Sequence, residues 1–237
     1  MRRMLDSAQA SQYLARRWEE GRPWRATFLL DIDSAMPKPV DSCFLVRPTE
    51  KYKASFLAGV REFAAEERLD STYAVCLGYD HDGLGKYFDA FVRNLLAMGA
   101  EHSRPNNWYT DRILWLVQQD EYLGQLSIRP DLCTAYLITY GGHIGYSIRP
   151  SKRQQGLGKE ILQLGLQESR RLGLKKILVT CDSDNLASKK IIEHNGGRFE
   201  RSMKMDAKSF KSEGRKPRDE IAKLRYWIDL AQVSAAA

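Results

Sequence analysis

Hydrophobic and polar positions along this chain follow two rhythms, one of period two and one near 3.6, and the switches between them outline the fold. Cys43-Phe44-Leu45-Val46 reads as a short first strand, and Pro48-Thr49-Glu50 opens a helix extending toward Glu67. The polar, aromatic-rich stretch from Asp70 to Arg104 contains a helix predicted from Gly85 to Met98. Ile113–Val117 and Tyr122–Ile128 are strand-like runs around Gln118-Gln119-Asp120-Glu121, which predicts a hairpin. With a strand over Gly142–Ile148 they form a central antiparallel meander. Leu157, Ile161, Leu164 and Leu172 then recur near helical spacing, while Gln163, Gln167, Arg170 and Arg171 stay polar; Gly173 stops that helix. Lys176–Cys181 is a short strand with a buried character. Asp182-Ser183-Asp184-Asn185 starts a second helix through Ser188, Ile191 and Ile192, which ends at Asn195-Gly196-Gly197. Lys223–Leu230 alternates as a closing strand. Residues 1–40 read as an extension, with an amphipathic helix over Leu5 to Glu20 and a linker at Met36-Pro37-Lys38-Pro39, ahead of a domain over 41–232.

The chemistry concentrates where the strand over Gly142–Ile148 meets the helix that follows it. Ile148-Arg149-Pro150-Ser151-Lys152-Arg153-Gln154-Gln155-Gly156-Leu157-Gly158-Lys159 places a basic, glycine-punctuated turn between them. The N–H groups at a helix start lack intrahelical partners, and the helix dipole adds positive potential, so such a turn suits an anion. Gly156 and Gly158 are expected to let a ligand approach the backbone, and Arg153 and Lys159 to add charge. A dinucleotide fingerprint fails because Ile161 stands in the place of its third glycine. A P-loop fails because Gly158-Lys159 is followed by Glu160. What remains is R-x-x-G-x-G over Arg153, Gln154, Gln155, Gly156, Leu157 and Gly158.

That motif, in the order strand, anion loop, helix, strand, Asn-led helix, resembles the GCN5-related N-acetyltransferase (GNAT) superfamily. The resemblance covers roughly Cys43 to Leu230 and is strongest from Gly141 to Gly197; within it, GHIGYSIRPS, TCDSDN and NGG look like a bacterial branch of predicted acetyltransferases. It implies an α+β fold, an α/β/α sandwich whose mixed, mostly antiparallel sheet has splayed central strands flanked by helices. It also implies transfer of the acetyl group of acetyl-coenzyme A (acetyl-CoA) directly to an amine. By the motif offset, Tyr146 and Ile148 would supply backbone contacts to the coenzyme arm, with the Tyr146 N–H as oxyanion donor. Arg153, Gln154, Gln155, Gly156, Leu157, Gly158 and Lys159 would hold the pyrophosphate. Asn185 would touch the arm with Ser188 nearby; Asn185 also reads as a plain helix N-cap. Many members carry a glutamate on the strand before the loop, but this chain has no carboxylate between Asp131 and Glu160. His143 is the titratable replacement, either as general base or as a hydrogen-bonded histidine that shapes the turn. Ile192 stands where many members place an acidic tyrosine, leaving Tyr146 or Tyr226 as substitutes.

Composition changes this picture only at its edges. The 237 residues carry 37 basic against 30 acidic side chains, a net charge of +7, which admits nucleic acid as well as a polyphosphate coenzyme. Much of the excess lies between Lys204 and Arg218, interleaved with acids, and reads as a solvated loop between two strands. No apolar run is long enough to span a bilayer and no signal-peptide pattern follows Met1, so a cytoplasmic protein is expected. Cys43, Cys76, Cys133 and Cys181 are far apart, with no spacing for a metal. The expected acceptor is a primary amine of a small-molecule or amino-acid-like compound. A protein or aminoacyl-tRNA amine, and a non-catalytic acyl-CoA sensor, are the alternatives, and the extension packs on the core or mediates a homodimer.

Overall fold

The computed structural model describes residues 42–99, 111–204 and 221–232. The readings made for residues 1–40, and for the charged stretch after Lys204, lie outside these. The described strands form one seven-stranded sheet. They are β1 (Phe44–Val46), β2 (Arg112–Gln118), β3 (Glu121–Ile128), β4 (Ile144–Ile148), β5 (Lys176–Asp182), β6 (Arg198–Lys204) and β7 (Ala222–Asp229), in the order β1-β2-β3-β4-β5-β7-β6. All neighbours are antiparallel except β4 and β5. This is the mixed, helix-flanked sheet that the resemblance implied.

Five helices flank it among the described residues: α1 (Lys53–Ala65), α2 (His81–Lys86), α3 (Phe88–Ala97), α4 (Leu157–Arg171) and α5 (Leu186–His194). α4 buries Ile161, Leu162, Gly165, Leu166 and Ser169, a stripe at helical spacing. That stripe lies on Leu114, Leu116, Leu126, Ile144, Val179 and Tyr226 of the first sheet face. The predicted helix from Gly85 to Met98 is instead two. Asp80 caps α2 through a 2.6 Å bond from Gly83 N–H, and the chain bends at Tyr87 before α3 begins. Two glycines within α2 weaken it as a helix, so tertiary packing sets the break.

The second face of the sheet changes character midway. Over β1 to β3 it is apolar: Phe56 of α1 stacks on Trp115 at 4.6 Å and meets Phe88, Phe91 and Tyr122 within 5.7 Å. Gln125 and Ser127 on β3, Ser147 on β4 and Thr180 on β5 follow, with Lys223 and Arg225 on β7. These residues alternate with the apolar set of the first face, so their side chains share the opposite one. The alternation read in β7 is therefore right, and its polar half shares this face with buried Gln125 and Ser127.

β4 begins at Ile144, two residues later than predicted. Gly142 has φ +77° and ψ −176°, a region essentially reserved for glycine. A Cβ there would lie 2.6 Å from the Leu178 carbonyl oxygen. Before it, Leu137–Gly141 winds into a π-helical turn that the sequence reading did not anticipate. Thr180 Oγ1 donates to the Tyr140 carbonyl at 2.6 Å, and Arg225 Nη1 donates to the carbonyls of Ile138 and Thr139. Gly142→Ala is expected to destabilise the protein by about 1–3 kcal/mol, read as a lowered denaturation midpoint with unchanged m-value; an unchanged midpoint refutes the constraint.

Candidate active site

The parallel pair β4–β5 has one register match, Ile144 opposite Val179. The next rung would join Tyr146 with Cys181, and it is not made. Arg149 N–H reaches the Leu123 carbonyl on β3 at 2.9 Å, so by the alternation of an antiparallel ladder Ser147 and Gly145 also turn their main chain to β3. Tyr146 and Ile148 turn theirs the other way, into the space left as β5 diverges. The strands thus part into a wedge whose β4 edge has no partner strand beyond Ile144.

The closed end of the wedge is made by His143. Its N–H donates to the Leu178 carbonyl at 2.8 Å, and its Nδ1 accepts the Leu178 N–H at 2.9 Å. An imidazole accepting at Nδ1 carries its hydrogen on Nε2 when neutral. Burial lowers the His143 pKa below the usual imidazole value, and the Arg129 guanidinium acts in the same direction. Arg129 is fixed by Asp111 at 2.9 Å and donates to the Gly142 carbonyl at 3.3 Å. The Nδ1 lone pair is thus occupied by a main-chain hydrogen bond.

The open end runs into the loop. Gln154 has φ +63° and Gly156 φ +84°, and such alternation aims successive N–H groups at one point. None of the five amides from Gln154 to Gly158 donates to an acceptor among the described residues. At Gly156 a Cβ would meet nothing within 4 Å, so the approach is open. Gly158 differs: its Cβ would fall 2.5 Å from Ile191 Cδ1 on α5, so its smallness also serves helix packing.

The basic side chains are engaged elsewhere. Arg149 meets Glu62 of α1 at 2.7 Å and Glu121 at 3.3 Å, Lys152 meets Glu121 at 2.8 Å, and Arg153 meets Glu66 at 2.9 Å. Arg153 Nε also donates to the Ile148 carbonyl at 3.2 Å. Glu62 accepts the Ser151 N–H at 2.9 Å as well. Burial raises the Glu62 pKa, but the Arg149 and Ser151 hydrogen bonds outweigh it, and the carboxyl sits below its ordinary range. Lys159 is exposed, with no ion-pair partner among the described residues.

Across the wedge, Asn185 Oδ1 accepts the Ser188 N–H at 3.0 Å and caps α5, the plainer of its two readings. Ser188 Oγ lies 2.8 Å from the Tyr146 hydroxyl. Tyr226 points away: its hydroxyl donates to Glu193 at 3.5 Å, and burial pushes its pKa up to about 12. Ile192 is fully buried. Among the described residues no cluster of His, Cys, Asp and Glu suits a metal ion, and no helix is long and apolar enough to cross a membrane.

A wedge between strands that ends in a main-chain anion cradle defines a group-transfer enzyme with a long, phosphate-headed donor. The chain belongs to the GNAT acetyltransferases, whose domain model matches residues 79–198. Its fold is similar to that of RimJ from Mycobacterium smegmatis solved with a CoA disulfide, at 20% identity over 82% of this chain and 85% of that one, with a TM-score of 0.57. It is also similar to an acetyl transferase from Salmonella typhimurium that modifies the N-terminal serine of ribosomal protein L7/L12, at 20% identity, 81% and 97% coverage and a TM-score of 0.53. The microcin C7 self-immunity acetyltransferase MccE, solved with acetyl-CoA and AMP, matches at 14% identity, 80% and 93% coverage and a TM-score of 0.55. No curated protein matches the sequence. The protein is therefore an acetyltransferase, with acetyl-CoA as its donor.

Two outcomes check this site. Gly156→Trp is expected to weaken coenzyme A binding about a hundredfold or more, ~3 kcal/mol, by calorimetry, and unchanged affinity sinks the loop assignment. Glu62 contributes stability above the ordinary carboxylate pKa that is lost as pH falls through its depressed folded value. Glu62→Gln should flatten the fall in denaturation midpoint between about pH 5 and pH 3; an unaltered slope removes Glu62 from the acid limb.

Proposed function

We propose that this protein transfers the acetyl group of acetyl-CoA to a primary amine of a small-molecule or amino-acid-like acceptor. The observation that carries the donor half is the β4–β5 wedge running into five unengaged amides. Gln154, Gln155, Gly156, Leu157 and Gly158 hold the pyrophosphate through main chain, with Lys159 and Arg153 at the rim. Tyr146 and Ile148 pair with the arm, and the Tyr146 N–H faces the thioester oxygen as it gains charge.

The acceptor half rests on the polar part of the second sheet face. Each buried cation there has a carboxylate: Arg129 with Asp111, Lys223 with Asp182 and Arg225 with Glu200. A polar but internally neutralised floor suits a small, mixed-charge amine better than a polycation or an RNA phosphate backbone. The Salmonella protein, which modifies an N-terminal serine, favours a second reading in which a polypeptide amine is the acceptor. We assign residues 41–232 to the catalytic domain.

Of the two parts open to His143, general base or turn-shaping histidine, the main-chain bond at its Nδ1 favours the second. With Nδ1 holding Leu178, it closes the wedge and fixes where the thioester stops, and the amine's proton leaves through water.

An acceptor panel of amino acids, small amines and N-terminal peptides, followed by thiol release, tests the reading. Turnover with small amines supports it, peptide-only turnover supports the second reading, and no thiol release with any acceptor overturns both. His143→Ala is expected to lower the melting temperature and turnover while leaving the shape of the pH–rate profile intact. Loss of an inflection near the imidazole range would restore His143 as the base.

A further inference from the structure

Arg129 reaches over β4 where the wedge begins. It directly follows β3, and its own N–H donates to the His143 carbonyl at 2.8 Å. Its guanidinium is held by the Asp111 carboxylate at 2.9 Å and donates to the Gly142 carbonyl at 3.3 Å. Asp111 is buried, and its second oxygen accepts the Tyr73 hydroxyl at 3.1 Å. Gly145 makes room for the cation: a Cβ there would lie 3.4 Å from Arg129 Nη2 and 3.2 Å from Ser127 Oγ. A glycine within a strand marks such close approaches. The guanidinium therefore lies against the main chain of the residue before Tyr146, on the second face of the sheet.

This inference rests on the acetyl-CoA reading above, in which the thioester stops beside the Tyr146 N–H. The first face is filled by α4 and α5, so an acceptor amine comes from the second. There the Ser71 carbonyl covers β3 and β4 at Gln125 and Ser147. The 137–141 turn covers β5 and β7 at Thr180 and Arg225. Gly145 lies between these covers, half-buried. Asp111 binds Nε of the guanidinium while Nη2 lies over Gly145, so the ion pair is oriented with its positive end toward the thioester.

An ammonium cannot attack a thioester, and this chain has no carboxylate on β4 to take its proton. A like charge nearby disfavours the charged form of an amine. We propose that Arg129 lowers the pKa of the bound acceptor amine, so that the ammonium gives its proton to water without a general base. The neutral nitrogen then bonds to the thioester carbon, and the carbon–sulfur bond breaks with its electron pair on sulfur. Of the two protons the nitrogen sheds, one ends on the thiol and one in water. The other ionisable groups of this face are engaged or distant from Gly145. Lys223, Arg225 and Arg149 are paired with Asp182, Glu200 and Glu62, and the Tyr140 hydroxyl donates to the Lys204 carbonyl. His143 holds Leu178, and the exposed Asp131 opposes Arg129 in its effect on that ring.

The test is the pH dependence of turnover at saturating acceptor, which reports groups in the bound complex. The acceptor is the amine of the panel above that releases thiol fastest. Arg129→Gln is expected to move the rising limb of the profile upward by about one pH unit. Asp111→Asn moves it downward, because the guanidinium then acts uncompensated. Arg129→Lys keeps the charge and leaves the limb where wild type has it. The double variant Arg129→Gln with Asp111→Asn buries no unpaired charge, and it moves the limb upward by less than Arg129→Gln alone. Simple loss of structure lowers the rate at every pH and moves no limb. A limb at the same pH in wild type and in the double variant overturns the inference. No thiol release with any amine overturns the acetyl-transfer reading, and this inference with it.

Discussion

Everything this protein offers to a ligand depends on two parallel strands that stay paired for one rung and then part. A parallel ladder ordinarily satisfies its main chain rung after rung, and unpaired amides between strands are costly when buried. Here Ile144 meets Val179, and beyond that point Tyr146 and Ile148 face a space instead of a strand. The sheet tolerates the opening because each flank is held from its other side: β4 by five register pairs with β3, and β5 by seven with β7. The closed end is held separately, by His143 on Leu178 and by the glycine-only conformation at Gly142. A rigid wedge with a fixed apex sets where an inserted arm must stop.

Electrostatics at the loop work through the main chain. Arg149, Lys152 and Arg153 are tied to Glu62, Glu121 and Glu66, so they mould the loop more than they confront a ligand. The exposed pair of Arg153 with Glu66 contributes little stability by itself. Its value is geometric, since Arg153 also grips the Ile148 carbonyl and so joins the end of β4 to α1. The five amides that remain carry partial charges that no rotamer change can withdraw. On the proposed reading, this is how a turn whose cations are mostly paired would still suit a pyrophosphate.

The second sheet face serves two purposes side by side. Its aromatic half, around Phe56 and Trp115, anchors α1 and α3. Its polar half, from Gln125 to Arg225, forms a floor whose charges cancel locally. The π-helical turn at 137–141 bridges toward that floor, pinned by Thr180 and Arg225. On the proposed reading, acceptor recognition would rest on the sheet itself and on a turn fastened to it, positions more rigid than ordinary connecting loops.

Much of this was legible in the chain because local patterning carries it. The meander, the α4 stripe, the Asn185 cap and the glycine loop each arise from spacing of two or 3.6 and from residues that favour one backbone region. The motif from Arg153 to Gly158, with the order of strands and helices around it, pointed to coenzyme A. What the sequence could not show were meetings between residues far apart in it. His143 could be read as a base or as a histidine that shapes the turn, and its bond from Leu178 lies 35 residues away in the chain; the space beside Gly158 is bounded by Ile191. The hydroxyl pair of Tyr146 and Ser188 joins positions 42 residues apart. Spacing along a chain determines which face a side chain shares, but a proton's location depends on which partner lies across the gap. Only the tertiary structure decides that.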